Sequence, residues 1–478
     1  MRGLWNIIVM FVVTGVALFR ERHSSPAHIK KVQQKKFVKL LAHAKKNAPY
    51  YAELYKDIDP AHFTLDQMAQ LPPVTKKDLM RHFPDTLTMR GVTREEVVWF
   101  SQDPASIGRF FRGRYVLCST SGTTGMVGHF LSTKTTWAIL RGVEFARLLR
   151  DRLSPKYLFK YTVLNKLRWA MLVATGGHYI TYLLMRLTPG FIGRLADIRP
   201  FSIMDPMHKM VADLNAFQPH YLHGYPTFLE ALAYEQLAGR LNIKLDFISS
   251  GSEPFSQMAR SVLQKAFPGV QMSETYGTTE ALSLANQCRC GHLHVNDDYV
   301  ILEAVDDQGR PVPPGTRSRK TLVTNLVNTL QPIIRYELND SVVLFTGEKC
   351  ECGSPLRVVE VHGRTDDTFF LMDGDGHFHA FPPIPFEVLF LQMKGLKQYQ
   401  LIHEEQNHLR VRYARVEKHP AEDIEQQIQQ KFDEYLAGCG LARTVQVSIE
   451  EMGEITRPPS TQKVRQIFSK VKAPPNAT

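Results

Sequence analysis

The sequence is poor in cysteine, in acidic residues and in long apolar runs. Its 478 residues include six cysteines, and 58 lysines and arginines outnumber 47 aspartates and glutamates. So few cysteines in so long a chain argue against a disulfide framework. No internal repeat or low-complexity tract is present, and 44% hydrophobic with 22% charged residues is the composition of a folded protein. The length indicates two or three domains.

The shortage of acidic residues leaves a formal net charge of +11. This charge predicts affinity for polyanions such as nucleotide phosphates and CoA, or for an anionic membrane surface, and it does not separate these partners. A lysine-rich segment, 28–55, has apolar residues at helical spacing. We favour a helix that covers the main domain over one whose basic face contacts lipid head groups. Its lysines are Lys30, Lys31, Lys35, Lys36, Lys39, Lys45 and Lys46.

One long apolar run stands near the start, from Leu4 to Phe19. It is slightly shorter than the roughly 20 residues that span a bilayer. A cleaved signal peptide is disfavoured, because Ala17-Leu18-Phe19-Arg20 offers no small-x-small site. A buried helix is the second interpretation. We favour a membrane anchor, with the later arginines and lysines on the cytoplasmic side.

A stretch rich in glycine and hydroxyl residues lacks the lysine of a Walker loop. It follows the apolar, β-prone run Tyr115 to Cys118. Its glycines let successive N–H groups face one point and its hydroxyls add donors, which suits the oxygens of a polyphosphate. A flexible surface loop is the alternative. The residues of this stretch are Thr120, Ser121, Gly122, Thr123, Thr124 and Gly125.

The rest of the chain divides into two regions. From Leu71-Pro72-Pro73 to about residue 365, strands and helices alternate, which predicts an α/β sheet with its sites at strand ends. Beyond residue 365, two paired strands, an amphipathic helix over 421–436 and a last strand predict a small α+β domain of about 110 residues. We therefore expect a hydrophobic segment at 1–25, a large multi-sheet α/β domain at 26–365 and a small α+β lid at 366–478.

Two further motifs fit a nucleotide. In Ser273-Glu274-Thr275-Tyr276-Gly277-Thr278-Thr279-Glu280, Tyr276 is suited to stack on a base and Glu280 to hold Mg²⁺. In Pro332 to Asp340, Asp340 follows a strand-like run and is suited to accept hydrogen bonds from ribose hydroxyls. Each motif alone is weak, but their order along the chain is specific.

In that order the motifs resemble those of the adenylate-forming superfamily of acyl-CoA synthetases, adenylation domains and luciferases. The phenylacetate–CoA ligase-like and capsular-biosynthesis-like branch is the most similar, over roughly residues 28 to 468. The resemblance implies that the loop from Thr120 to Gly125 grips the β- and γ-phosphates of ATP. It further implies that Asp366 is the hinge and that Lys463 is the mobile catalytic lysine. The other implied site residues are Gly251, Ser252, Glu253, Tyr276 and Gly277 at the adenine, Thr279 and Glu280 at the α-phosphate and Mg²⁺, and Asp340 and Arg364 at the ribose.

The chain departs from the family pattern at three places. Met126, Val127, Gly128 and His129 occupy the stretch where many members place a lysine, and Gln462 replaces the usual glycine before the catalytic lysine. The segment 373–379 also differs from the Arg-Gly motif of phenylacetate ligases. These departures put the second half-reaction, with CoA as acceptor, in question.

Four of the cysteines form two Cys-x-Cys-Gly units, at 288–291 and 350–353. Thiolates with an imidazole suit tetrahedral Zn²⁺, and some members of the phenylacetate ligase-like branch are similar here. We expect structural zinc on Cys288, His294, Cys350 and Cys352, with Cys290 or His292 as substitutes. Reduced cysteines packed as small hydrophobic residues are the alternative.

The resemblance implies an ATP- and Mg²⁺-dependent enzyme that forms AMP while activating a small carboxylic acid, with CoA as the expected acceptor. Two alternatives remain: an adenylyltransferase that places AMP on a hydroxyl, and a nucleotide-binding protein without turnover. We expect a cytoplasmic location, with attachment to a membrane, and no nucleic-acid partner. The oligomeric state stays open, a homodimer included.

Overall fold

The computed structural model has a large α/β part and a small α+β part, each with a hydrophobic core of its own. Its strands are β1 Tyr115–Ser119, β2 His129–Thr133, β3 Leu167–Val173, β4 Ala196–Ser202, β5 Tyr221–Gly224, β6 Phe247–Gly251, β7 Gln271–Thr278, β8 Leu282–Gln287, β9 Leu293–Val295, β10 Val300–Val305, β11 Lys320–Asn325, β12 Tyr336–Leu338, β13 Asp340–Phe345, β14 Val358–Arg364, β15 Phe369–Met372, β16 Phe378–Phe381, β17 Leu396–Glu405, β18 His408–Arg415, β19 Gln446–Glu451 and β20 Ile467–Ser469. The residues that the structure describes are 2–120, 127–152, 160–161, 166–173, 177–188, 190, 193, 196–203, 205, 207–252, 255, 257–346, 350–364, 369–376, 378–381, 386, 389–390, 393–417, 419–455 and 466–471.

The α-helices of the described residues alternate with strands in the large part, as the sequence predicts. The first six are α1 Arg2–His23, α2 Pro26–Asn47, α3 Pro49–Leu54, α4 Lys76–Arg81, α5 Arg94–Gln102 and α6 Lys134–Arg152. The others are Ile180–Arg186, Met207–Phe217, Pro226–Leu237, Gln257–Ala266 and, in the small part, Ala421–Gly438.

A nine-stranded sheet forms the centre of the large part, in the order β13-β14-β9-β8-β7-β6-β5-β3-β4. Strands β4, β3, β5, β6 and β7 run parallel, whereas β8, β9, β14 and β13 continue from β7 in antiparallel pairs. Parallel strands buried on both faces read as continuous apolar runs, and β3 ends in the fully buried residues 170–173. Strand β7 is the junction at which the direction of pairing changes.

Smaller sheets flank this centre. Strands β1 and β2 form an antiparallel hairpin, and β10, β11 and β12 form a three-stranded sheet. The largest core cluster joins these sheets to α2 and α3 through buried apolar side chains such as Phe37, Leu41, Tyr51 and Tyr336. Helix α2 therefore covers the main domain, in line with the interpretation that the sequence favoured.

The small part is built on the four-stranded sheet β19-β18-β17-β20. Strands β17 and β18 pair antiparallel, and the helix Ala421–Gly438 packs Ile424, Ile428 and Phe432 into their shared core. This is the helix and strand pattern that the sequence predicted. The fold class, a large α/β part with a small α+β part, is confirmed by structural comparison as described below.

Helix α1 packs along α6 with one face. The hydroxyl of Thr14 donates to the carbonyl of Gly142 at 3.0 Å, and Ala17 lies against Val143 and Ala146 in a small core. A Cβ atom at Gly142 would stand 2.6 Å from the carbonyl oxygen of Met10. The absence of a side chain at Gly142 therefore permits this close approach of the two helices.

Five residues, which we call the Glu21 cluster, fix the end of α1 to the domain: Glu21, Arg147, Arg150, Asp298 and Ser354. Arg147 lies 2.6 Å from Glu21 and 2.9 Å from Asp298, and the Ser354 hydroxyl donates to Glu21 at 2.9 Å. Arg150 is ion-paired with Glu21 as well. Burial by itself raises the pKa of Glu21, but the two arginines hold that pKa below its ordinary value. The carboxylate is therefore charged and paired inside the protein.

Candidate functional site

The site develops at the carboxyl ends of β6 and β7, at the edge where the central sheet changes from parallel to antiparallel. Gly251 closes β6 opposite Thr275 of β7, and Ser252 follows with φ at +71°. The carboxyl ends of parallel strands are where α/β sheets bind ligands. Gly251 and Ser252, assigned by resemblance to the adenine, lie at this edge.

Tyr276, which we expect beneath the base, contacts Asp340, which we expect at the ribose. The Tyr276 hydroxyl donates to the Asp340 carboxylate at 2.6 Å. Asp340 is the first residue of β13, and its backbone pairs with that of Arg364 in β14. The Thr321 hydroxyl donates to the Asp340 carbonyl at 2.6 Å and fixes the start of the strand. Three elements distant in sequence thus bring an aromatic ring and a carboxylate to one place.

Gly277 is required by the close approach of β8. A Cβ atom there would stand 2.2 Å from the carbonyl oxygen of Leu282, well inside van der Waals contact. The register of the β7–β8 pairing also shifts between Tyr276 and Gly277. Such an irregularity changes the direction of the side chains that follow it relative to that of Tyr276. The position between Tyr276 and Glu280 therefore requires glycine, because β8 leaves no space there for a side chain.

Glu280 is a buried acid within electrostatic reach of Asp340. Burial raises the pKa of its carboxyl above the ordinary value, although a hydrogen bond from the Tyr336 hydroxyl lowers it. Asn325 donates to the Glu280 carbonyl at 3.1 Å and holds its backbone. A carboxylate that burial disfavours is one that a nearby divalent cation stabilises, and oxygen ligands are what Mg²⁺ takes. Glu280 therefore fits as one oxygen ligand of a magnesium ion.

Thr279 and Glu280 lie close to the two strands that flank the loop expected to bind phosphates. Together with Cys118 of β1 and Phe130 of β2 they line a cavity of about 20 Å³, the size of a single water site. The loop itself is closed by Thr120 and Gly128. The Thr120 N–H donates to the Gly128 carbonyl at 2.9 Å, and the Gly128 N–H donates to the Thr120 hydroxyl at 2.8 Å.

His129 stands in the stretch where the resemblance implies a lysine, but its ring does not supply a cation there. Its Nδ1 lies 3.0 Å from the Ser119 hydroxyl. Burial, with smaller contributions from Arg94 and His178, lowers the pKa of His129 to about 4. The ring is therefore neutral at pH 7 and serves as a polar support for the β1–β2 hairpin.

Several predicted site residues lie outside the described residues: Ser121, Gly122, Thr123, Thr124, Gly125, Glu253, Asp366 and Lys463. Arg364 is described through its backbone in β14. Thr120, Gly251, Ser252, Tyr276, Gly277, Thr279, Glu280 and Asp340 lie on the neighbouring elements set out above. Reasoning from the sequence missed Tyr336 and Asn325 as supports of Glu280. Tyr336 stands inside the motif that ends at Asp340, so the signal was present, but its partner is 56 residues earlier in the chain (336 minus 280).

The four residues expected to hold zinc form a second cluster. One ligand atom from each of Cys288, His294, Cys350 and Cys352 lies within 4.8 Å of all the others. The sulfur atoms of Cys288 and Cys350 are 3.7 Å apart, and the Cys352 sulfur is 3.3 Å from Nε2 of His294. A tetrahedral Zn²⁺ with Zn–S bonds of about 2.3 Å requires sulfur–sulfur separations of about 3.8 Å. The donor set therefore fits zinc in type and in spacing.

The backbone around this cluster is arranged to present its ligands. The Gly291 N–H donates to the Cys288 carbonyl at 3.0 Å and the Gly353 N–H to the Cys350 carbonyl at 2.8 Å. Both glycines have positive φ, +88° and +77°, so the two Cys-x-Cys-Gly units form equivalent turns. Nδ1 of His294 lies 2.9 Å from the Leu356 carbonyl, which leaves Nε2 for a metal, the usual outer-shell arrangement.

Nearly the full length of the chain is similar to solved ligase structures. A 2-hydroxyisobutyryl-CoA ligase in the postadenylation state, in complex with R3-HIB-AMP, covers 95% of this chain and 91% of its own, with a TM-score of 0.71 at 18% identity. The chain has the fold of this CoA ligase. The shared fold confirms the predicted fold class and agrees with the resemblance that the motifs indicated.

Two other comparisons give the range of the similarity. An anthranilate CoA ligase in complex with anthranoyl-AMP covers 73% of this chain and 64% of its own, with a TM-score of 0.50 at 16% identity. Protein CapK of Staphylococcus aureus is 20% identical over 324 residues, which are 66% of this chain and 62% of CapK. The match thus spans less than two thirds of CapK. No family model matches the chain.

Proposed function

We propose that the protein is an adenylate-forming ligase. It binds ATP with Mg²⁺, activates a small carboxylic acid as its acyl-adenylate, and transfers the acyl group to CoA. The observation that carries the proposal is the contact of Tyr276 with Asp340 beside the buried Glu280. An aromatic platform, a ribose acceptor and a metal-binding acid then meet at the carboxyl ends of β6 and β7. The solved ligases of the same fold, held with acyl-adenylates, support this choice.

In the first half-reaction, an oxygen of the substrate carboxylate attacks the α-phosphorus of ATP. The new O–P bond forms as the bond to the β-phosphate oxygen breaks, and pyrophosphate leaves with that electron pair. Glu280 would hold Mg²⁺, which would supply positive charge to offset that of the phosphates. Lys463 bridges the attacking carboxylate and the α-phosphate, and the N–H groups of the loop after Thr120 bind the departing phosphates. Tyr276 and Asp340 hold the nucleoside in place.

In the second half-reaction, the small domain turns about Asp366 and withdraws Lys463. The CoA thiolate attacks the acyl carbon, a thioester forms, and AMP leaves with the bonding electrons. Such a turn separates two half-reactions that need different groups in one cleft.

The test is release of pyrophosphate from ATP with a panel of carboxylic acids, with and without CoA. We expect acid-dependent release, and an acyl-CoA product when CoA is added. Asp340→Asn should abolish release, whereas the matched exposed change Asp307→Asn should leave it unaltered. Pyrophosphate release that no acid stimulates would reject the proposal.

An adenylyltransferase acting on a hydroxyl is the second candidate. It is favoured by the replacement of the loop lysine by Met126 to His129 and by Gln462 before Lys463. In that reaction the hydroxyl oxygen attacks the α-phosphorus, and AMP stays on the product. AMP transfer that needs no acid and consumes no thiol would establish it. Nucleotide binding with no turnover, unchanged in Lys463→Ala, would establish the nucleotide-binding protein instead.

We further propose structural zinc at Cys288, His294, Cys350 and Cys352. Four ligands complete a tetrahedron and leave no position for substrate, which argues against a catalytic role. The metal would tie β8 and β9 to the segment that leads into β14.

We also propose a cytoplasmic location with attachment to a membrane through α1. Of the described residues, Leu4–His23 is the stretch long and apolar enough to cross a bilayer. The +11 net charge favours an anionic surface. Light scattering of the purified protein measures whether a homodimer forms.

A further inference from the structure

The solvent-facing side of α1 is apolar over four turns. We call this surface the apolar face of α1. Its members are all large and exposed: Leu4, Trp5, Ile8, Phe11, Val12, Val16 and Phe19. On a helix that advances about 100° per residue they fall within an arc of about 140°. The arrangement is a single stripe, and only Gly15 interrupts it.

The opposite side of α1 is committed to the protein. Met10, Thr14, Ala17 and Glu21 are 3%, 7%, 0% and 3% exposed, and they hold α1 on α6 through the contacts described above. A helix that crosses a bilayer alone would surround Thr14 with hydrocarbon. Glu21 would also have to leave two arginines, which is strongly unfavourable. The structure is therefore at odds with a spanning helix and consistent with a helix half embedded in the protein.

The size of the apolar face exceeds what isolated surface residues explain. Trp5, Phe11 and Phe19 are 60%, 54% and 64% exposed, which at about 150–250 Å² per aromatic side chain leaves roughly 350 Å² of aromatic surface in solvent. The aliphatic members add to this area. The largest apolar patch on a typical monomer measures roughly 300–600 Å² in total and is often functional. An interaction surface is therefore indicated.

Basic residues at the end of the apolar face indicate which kind of partner it binds. Arg22 and His23 are exposed at the last turn of α1, in the same arc, and Phe19 stacks on His23 with ring centroids 4.6 Å apart. Helix α2 follows directly, and its lysines Lys30, Lys31 and Lys35 are exposed. Two copies of the chain would bring these like charges together, whereas anionic head groups complement them.

We propose that α1 lies in the plane of an anionic membrane, with its apolar face among the lipid acyl chains and its other face on α6. The protein is thereby attached to one leaflet without crossing it. The inference does not depend on the reaction in the cleft, so either can fail alone.

Vesicle sedimentation tests the attachment. The full chain is mixed with vesicles of phosphatidylcholine, or of equal parts phosphatidylcholine and phosphatidylglycerol. We expect binding to the anionic vesicles that falls at least tenfold in Val12→Glu/Phe19→Glu. The control Trp99→Glu, which places the same charge at another exposed aromatic position (71% exposed), should bind as the unchanged protein does. Equal binding by all three proteins, or binding by none, would overturn the proposal.

Depth measurement tests the orientation. Three proteins each carry one tryptophan on α1, at position 5, 12 or 19, on a Trp99→Phe background. Trp5 is native, and the other two are Val12→Trp and Phe19→Trp with Trp5→Phe added. Quenching of their fluorescence by lipids brominated at different depths is recorded. The three positions span about 21 Å along a helix that rises 1.5 Å per residue. An in-plane helix gives the three tryptophans the same depth, whereas a spanning helix puts position 12 deepest. Trp137 and Trp169 remain in all three proteins. Their background fluorescence is measured in Trp5→Phe/Trp99→Phe, which has no tryptophan on α1.

Two outcomes identify another partner or arrangement. A tryptophan at position 12 that lies deeper than those at positions 5 and 19 would show a spanning helix and overturn the in-plane proposal. A dimer in lipid-free solution that Val12→Glu/Phe19→Glu converts to a monomer, without vesicle binding, would assign the apolar face to a second copy of the chain. Unchanged thermal unfolding and unchanged pyrophosphate release by the variant show that it remains folded.

Discussion

Replacing Glu21 by glutamine should detach α1 from the domain. The Glu21 and Arg147 side chains are 1% and 3% exposed, and Arg150 is 10% exposed. Glutamine keeps the shape and the hydrogen bond from Ser354 but removes the charge that two arginines share. Breaking a buried ion pair from one side costs about 3–5 kcal/mol. Because Arg147 keeps its contact with Asp298 at 2.9 Å, we expect a loss at the lower end of this range.

That loss should appear in two assays. The first unfolding transition of Glu21→Gln should move down by on the order of 5–10 °C. Trypsin should cleave after Arg20 and Arg22 faster than in the unchanged protein, because α1 leaves α6. The control Glu95→Gln removes an exposed charge in the first turn of α5 and should change neither readout.

The effect should also depend on pH in a defined direction. The arginines hold the pKa of Glu21 below its ordinary value, so its contribution to stability is present above the ordinary carboxyl pKa and is lost as pH falls through the lowered value. The difference between the two proteins should therefore shrink in acid. Equal unfolding and equal cleavage at pH 7 would refute the view that the Glu21 cluster holds α1.

Three further predictions concern the sites. Tyr276→Phe keeps the ring but removes the donor to Asp340, so the Kd for ATP, measured by calorimetry, should rise about tenfold; an unaltered Kd would show that this hydroxyl does not position the ribose ligand. Gly277→Ala places a Cβ against the Leu282 carbonyl and should lower the unfolding temperature and ATP binding together, whereas Gly438→Ala, with open space around it, should change neither. Cys350→Ser should lose bound zinc in metal analysis while Cys290→Ser keeps it; equal zinc in both proteins would contradict the ligand set.

Local structure could be predicted where one periodicity dominates the sequence. The helix expected over 421–436 is observed as Ala421–Gly438, because Ile424, Ile428 and Phe432 repeat at helical spacing around a single core. Leu245 is buried in the core, although strand β6 begins two residues later, at Phe247. An apolar side chain alone therefore does not mark where pairing with β5 starts.

Pairings between distant segments could not be predicted in this way. The contact of Tyr276 with Asp340 depends on the order of strands in the central sheet, and the support of Glu280 by Tyr336 depends on the three-stranded sheet beside it. The face of α1 that packs on α6 could not be predicted from the sequence for a different reason. A run that is apolar nearly all round gives no periodic signal, and the few polar residues Asn6, Thr14 and Glu21 mark the side that contacts α6.

Ser354 belongs to the Glu21 cluster and stands two residues after Cys352, a proposed zinc ligand. The end of α1 and the turn that carries the proposed zinc ligands therefore share a hydrogen bond, and a disturbance of one is expected to reach the other through Ser354. Glu21→Gln and Cys350→Ser should in consequence be non-additive in a double-mutant cycle, and stripping zinc should loosen the protein's hold on the membrane.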